Sequence, residues 1–221
     1  MGFSDTTVVS NVLFSHAWLV NFSGPVFGIL RNDWHEKERM FEQLGEILDR
    51  PKGRPAYHEL WNLTKFSDYF EFSDDNPEWL VEDDGIQIVQ DWRAQWTILG
   101  GNLGTFSLLF WTEWSPDLSG KILFLEEWGG DDLGDIRRRL THLRQQPTAD
   151  KIAGLVFGKL NRRCFREYDI DWHQTLLDIF WDLHIPIITW APFGHIYPFQ
   201  IFPIGGVCEV DTQERKYTIN W

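Results

Sequence analysis

Two short segments of this sequence hold the residue types that proton-transfer chemistry needs. In the first, Leu125-Glu126-Glu127-Trp128-Gly129-Gly130, carboxylates come directly after the apolar run Lys121-Ile122-Leu123-Phe124-Leu125. A run of that kind reads as a strand buried on both faces, and the residue at its end is held rigidly at the sheet edge. In the second, Ala191-Pro192-Phe193-Gly194-His195, the histidine follows an apolar run that ends near Trp190. Gly194 permits a tight turn, and Pro198, Pro203, Gly205 and Gly206 stiffen the loop beyond. A carboxylate on a strand end can fix the tautomer of an imidazole and stabilise the imidazolium, while the imidazole works as a general base. Glu126 and His195 are therefore the candidate catalytic residues. By spacing alone they also fit two unrelated structural roles.

The remaining residues narrow the chemistry. His142, His173 and His184 fall in helical stretches, and His16, His35 and His58 have no partner at a useful spacing. The sequence contains no His-Glu-x-x-His, no Walker loop and no Gly-x-Ser-x-Gly. Glu126 and Glu127 would project to opposite sides of an extended chain, which argues against a glycosidase-type pair. The acids Asp74, Asp75, Glu78, Glu82, Asp83 and Asp84 show no metal-ligand spacing and read as a solvated surface. No metal or other cofactor is expected. Most of the thirteen tryptophans read as core or interface filler. Trp92 and Trp96, with Trp61 and Trp79, are the candidates to stack on a flat substrate.

The elements that must position these residues alternate in type. Ser4 or Asp5 can cap a first helix with Val8, Val12 and Leu13 at helical spacing. Trp18 to Phe22 reads as a strand stopped by Ser23-Gly24-Pro25. Asp33 and Glu36 form a capping-box pattern before a helix with Met40, Phe41, Leu44, Ile47 and Leu48 as its stripe. Residues 50–95 read as a long irregular connection or lid. Beyond them the expectation is a strand over 96–99, a turn at Gly100-Gly101-Asn102, and a helix through Trp111. Strands over 121–125, 152–157 and 185–189 then alternate with helices over 132–145 and 171–183, and a hairpin pairs 207–210 with 216–219. The alternation predicts an α/β fold with a largely parallel sheet.

Composition bounds the partners. The 221 residues are 43% hydrophobic, enough for a packed core. A net charge of -13 repels phosphate backbones, so nucleic acid is not an expected partner. No apolar run approaches the roughly 20 residues that span a bilayer, and the N-terminus has no secretory pattern. The two cysteines, Cys164 and Cys208, are far apart and fit a reducing, cytoplasmic setting.

Four segments have a further meaning: Gly2-Phe3-Ser4-Asp5-Thr6-Thr7 with Ser23-Gly24-Pro25; Gly100-Gly101-Asn102-Leu103; Gly120 through Glu126; and Phe193-Gly194-His195 with Pro203-Ile204-Gly205. In these the chain resembles the LD-carboxypeptidase family of serine peptidases, and its Trp-rich connection is more similar to the microcin C self-immunity branch than to the murein-recycling branch. The resemblance implies the tail end of a Rossmann-like N-terminal domain over residues 1–32. A helix and long connection over 33–95 and a complete C-terminal α/β domain over 96–221 would follow. It implies a Ser-His-Glu triad with His195 as base and Glu126 as orienter. The family's serine lies upstream of the Gly-Phe-Ser-Asp segment, so the expectation is an N-terminally truncated chain without the nucleophile, inactive alone. Ser4 matches a different family position. The implied substrates are LD-peptide bonds of murein, or a small peptidyl or aminoacyl nucleotide, and the implied assembly is a homodimer. A non-catalytic binding module, or an inactive truncated product, is the alternative.

Overall fold

The computed structural model describes residues 1–24, 37–49, 57–68, 80–160, 162–165 and 171–221. In chain order the elements are α1 (Thr7–Ala17), β1 (Asn21–Ser23), α2 (Lys37–Leu48), β2 (Tyr57–Glu59), β3 (Lys65–Asp68), β4 (Leu80–Glu82), β5 (Gln87–Gln90) and β6 (Arg93–Asn102). There follow α3 (Leu103–Ser107), β7 (Ile122–Glu126), α4 (Leu133–Arg144), β8 (Gly154–Gly158), α5 (Trp172–Phe180), β9 (Ile187–Ala191), β10 (Ile196–Tyr197), β11 (Phe202–Ile204), β12 (Val207–Asp211) and β13 (Lys216–Asn220). An eight-stranded sheet runs in the order β2-β13-β12-β6-β7-β8-β9-β5.

The α/β expectation holds, but the sheet is parallel only at its centre. β6, β7, β8 and β9 pair in parallel. β5 is antiparallel to β9, and β12, β13 and β2 continue the other side antiparallel. Parallel neighbours need a crossover, and α3, α4 and α5 lie in the three crossovers. Every residue of β7 and β8 is buried, as their unbroken apolar runs require. Asp132 caps α4 by accepting from Asp135 N–H, and Asp171 caps α5 by accepting from Gln174 N–H. Ile136, Leu140 and Leu143 of α4 are fully buried at helical spacing.

Several local expectations are corrected. The connection over 50–95 is not irregular where it is described: β2 and β5 form the two edges of the main sheet, and β3 and β4 join β10 in a three-stranded sheet. These strands are three or four residues long and carry polar side chains, so no alternating pattern marks them. Gly100 and Gly101 are not a turn but the end of β6, at φ +126° and +125°. A Cβ on Gly100 would meet the Phe124 carbonyl oxygen at 2.1 Å, so only glycine lets β6 lie against β7 here.

α1 packs only partly by the expected stripe: Val8 and Val12 lie partly buried against the core, but most of the buried face is made by other residues. Thr7, Ser10, Asn11 and Phe14 are buried, whereas Leu13 is exposed. The reason is polar: Asn11 donates to Gly100 O at 2.7 Å and accepts from Gly100 N–H at 3.0 Å, and the Thr7 hydroxyl accepts from Asn102 N–H at 3.1 Å. α1 thus serves the main-chain groups that the glycines present at the end of β6. Ser4 and Asp5 form a 3-10 turn and do not cap α1. Trp18 takes a left-handed conformation, φ 55°, that ends α1, so β1 begins only at Asn21. α3 stops at Ser107 and does not reach Trp111. The Asp33 cap lies outside the described residues.

β1 pairs with β11 and Gly2 bridges Ser23, so the first 23 residues lie against the body of the chain. A second core unites α2 with the three-stranded sheet through Met40, Leu63, Phe66, Ile196, Tyr197, Phe199 and Ile201. Among the described residues, no helix is long and apolar enough to cross a membrane.

Candidate active site

β7 ends on Glu126. One crossover further along the sheet, β8 ends on Gly158, and the loop after β9 carries Gly194 and His195. Gly194 has φ +119°, and a Cβ there would stand 3.0 Å from the Lys159 carbonyl oxygen and 3.4 Å from the Glu126 Cβ. The missing side chain therefore lets the loop approach β7 and set the next residue against Glu126. His195 Nδ1 is 2.7 Å from Glu126 Oε2, and both residues are buried. An ionised carboxylate only accepts, so a neutral imidazole facing one carries its proton on Nδ1 and its basic lone pair on Nε2. The Phe3 ring lies 4.8 Å from the imidazole and stacks on Phe199 at 5.3 Å. The Gly-Phe-Ser-Asp segment thereby forms one wall of the histidine's surroundings.

Glu127 faces the other way, as alternation along an extended chain requires. It accepts from Asn102 Nδ2 at 2.9 Å, Gly104 N–H at 3.0 Å, Arg139 Nη1 at 2.7 Å and Trp128 N–H at 3.1 Å. Arg139 also reaches Asp131 at 2.6 Å. Burial, and next the charge of Glu126, push the Glu127 carboxyl up to about 7 against the pull of Arg139 and Asn102. Asn102 accepts from Thr105 N–H and so caps α3. Two adjacent glutamates thus serve separate tasks, one toward His195 and one toward the β6–α3 turn.

The sequence-based candidates do not all meet. Glu126 and His195 do. Trp92 directly precedes β6, ten positions before Asn102 at the strand's far end, or roughly 30 Å at ~3.3 Å per residue, and it packs edge-on to His184 at 5.5 Å. Trp92 and the pair therefore lie toward opposite ends of β6. Trp96 pairs with Cys208 in mid-strand. Trp61 lies under the Arg39 guanidinium at 4.4 Å, and Trp79 lies outside the described residues.

Sequence reading named Glu127 and Asn102 without these partners, and missed Arg139 and Lys159. Lys159 is a lysine in the apolar stretch Leu155-Val156-Phe157-Gly158-Lys159-Leu160, fully buried and paired with Asp83 at 2.6 Å. A lone cation inside a run of that kind was the available signal. Burial lowers its pKa, and Asp83 opposes that shift.

Known proteins are similar to this chain in sequence and in fold. The chain is 27% identical to the putative carboxypeptidase YocD of Bacillus subtilis over 95% of its own length and 63% of the relative's. It superimposes on an MccF-like protein from Bacillus anthracis with a TM-score of 0.83 at 30% identity, covering 99% of this chain and 66% of the other. MccF solved with glutamyl sulfamoyl guanosine has the same fold, with a TM-score of 0.83 at 21% identity over all of this chain and 66% of its own. The chain thus spans somewhat less than two thirds of the length of these proteins. Residues 97–210 match the LD-carboxypeptidase C-terminal domain, and the chain belongs to the LD-carboxypeptidase family.

Proposed function

We propose that this chain carries the base and orienter of an LD-carboxypeptidase-type amide hydrolase. His195 takes a proton through Nε2 and Glu126 holds the imidazole in the required tautomer. The attacking serine of the Ser-His-Glu triad comes from a part of the family architecture that these 221 residues do not span. The buried 2.7 Å contact between His195 Nδ1 and Glu126 Oε2, at the ends of parallel strands, carries the reading. A carboxylate that orients an imidazole for nucleophilic catalysis makes a contact of this kind.

The proposed substrate is a small molecule with an LD-peptide bond or a peptidyl or aminoacyl nucleotide amide. The MccF structure with an aminoacyl-nucleotide analogue favours the second class. The proposed setting is the cytoplasm, in keeping with a chain whose cysteines, Cys164 and Cys208, are few, buried and far apart in sequence. The proposed assembly is a homodimer, supported by apolar residues exposed on and after α1: Val9, Leu13, Trp18, Leu19 and Val20.

A fusion of a family N-terminal domain ahead of Gly2 tests the reading, with an LD-tetrapeptide and an aminoacyl-nucleotide as substrates. Hydrolysis that disappears with His195→Ala and with Glu126→Gln supports it. Ligand binding by a fusion that hydrolyses neither substrate favours a non-catalytic binding module instead. Full activity in the unfused chain would place the nucleophile within these residues, with Ser4 the first to examine.

A further inference from the structure

Lys159 sits where two supports of His195 meet. It directly follows β8, at the sheet edge that also carries Glu126. Its main chain holds the loop leading into the histidine: its N–H donates to Ala191 O at 3.1 Å and to Phe193 O at 3.0 Å. Its carbonyl oxygen is the group that Gly194 passes closely.

The side chain reaches in the other direction. Nζ donates to both carboxylate oxygens of Asp83, at 2.8 and 2.6 Å, and stands 4.7 Å from the centre of the Phe66 ring. Asp83 directly follows β4, and its N–H donates to Thr64 O, just before β3. β4 pairs with β3, and β3 pairs with β10, whose first residue, Ile196, directly follows His195. One residue therefore grips the chain on both sides of the imidazole: residues 191–194 through its backbone, and residues 196–197 through Asp83 and the small sheet.

Packing alone does not call for an ion pair at this place. Desolvation offsets much of the attraction between a buried ammonium and carboxylate, and apolar side chains of similar size often give equal or greater stability. What the pair adds is direction. Two short charge-assisted hydrogen bonds admit a narrow range of arrangements, whereas apolar side chains tolerate small slips.

We propose that the Lys159–Asp83 pair is a positioning device that sets His195 against Glu126 by pinning the β3–β4–β10 sheet to the end of β8. The inference rests on the reading of His195 and Glu126 as base and orienter. Lys159 and Asp83 act through His195.

The test is proton and nitrogen NMR of the full 221-residue chain labelled with 15N-histidine. An Nδ1–H held by a buried carboxylate gives a downfield, slowly exchanging resonance, assigned to His195 by its loss in His195→Ala. The resonance is expected to disappear in Lys159→Met and in the near-isosteric Asp83→Asn, at temperatures where circular dichroism shows a folded chain. In the double variant Lys159→Met/Asp83→Leu the unfolding midpoint returns toward the parent value while the resonance stays lost. A double variant with the resonance intact would overturn the proposal, as would an unchanged resonance in folded Asp83→Asn. Glu126→Gln separates the two levels of inference. If it leaves the resonance unchanged, the base-and-orienter reading itself fails; if it removes the resonance while Asp83→Asn does not, only the positioning role fails.

Discussion

Asn102 stands beside Glu126 as its register partner in the parallel β6–β7 ladder, yet its side-chain amide binds the next residue, Glu127, at 2.9 Å. The pairing divides the labour of two adjacent carboxylates. Glu126 is left to His195, and Glu127 gathers Asn102, Gly104, Trp128 and Arg139 around the turn into α3.

This division predicts unequal effects on hydrolysis. In an active fusion, Glu126→Gln is expected to lower kcat by on the order of 10³–10⁴-fold, because the imidazole loses its tautomer and orientation. Glu127→Gln is expected to have a far smaller effect on kcat. Steady-state kinetics of the two variants decide the matter, and equal losses would contradict the division.

The position of Glu127 also predicts a pH dependence of stability. Its folded-state carboxyl is raised from 4.5 to about 7, chiefly by burial. The folded chain then holds this proton more tightly than the unfolded chain, so the contribution is full below pH ~4.5 and is lost as pH rises toward ~7. The loss across that window is on the order of 3 kcal/mol. Urea unfolding across this window should show the fall in the parent chain and a flatter profile in Glu127→Gln. Matching profiles would rule out Glu127 as the source.

Gly194→Ala is expected to cost about 1–3 kcal/mol, since a β-carbon at this left-handed position is strained. It would also press on Lys159 O and Glu126, and so disturb the His195 contact. Thermal unfolding together with the His195 Nδ1–H resonance reports both effects. A variant with parent stability would show that the loop relaxes without strain.

Trp92 precedes β6 at the end remote from Asn102 and Glu126. Trp92→Ala is therefore expected to leave the affinity of a single chain for an aminoacyl-adenylate analogue within about twofold, well short of the ~1–3 kcal/mol of a lost stacking contact. Calorimetric titration measures it. A loss of tenfold or more would mean that Trp92 reaches the ligand, for instance from a second protomer.

The exposed apolar residues of α1 predict association. Sedimentation of the chain should depend on concentration, and Val9→Asp with Leu13→Asp should shift it toward monomer, because both side chains are exposed on that helix. A parent chain that stays monomeric at all concentrations would count against the proposed dimer.

The sequence by itself determined what depends on neighbours along the chain. The unbroken apolar runs of β7 and β8, the helices that begin near Asp132 and Asp171, the β12–β13 hairpin, and the placement of Glu126 at a strand end and His195 in the loop after the next strand but one all follow from local period. For His195 and Glu126 the family resemblance implied the meeting; for the other polar groups only the tertiary structure decided the partner. His195 finds Glu126 across 69 positions, Lys159 finds Asp83 across 76, and Asn11 finds Gly100 across 89. None of these partners is marked by spacing, because a buried polar side chain is satisfied by whichever strand or loop the sheet order brings beside it. The same holds for β2 to β5, whose short polar strands are defined by the edges they pair with and not by their own pattern.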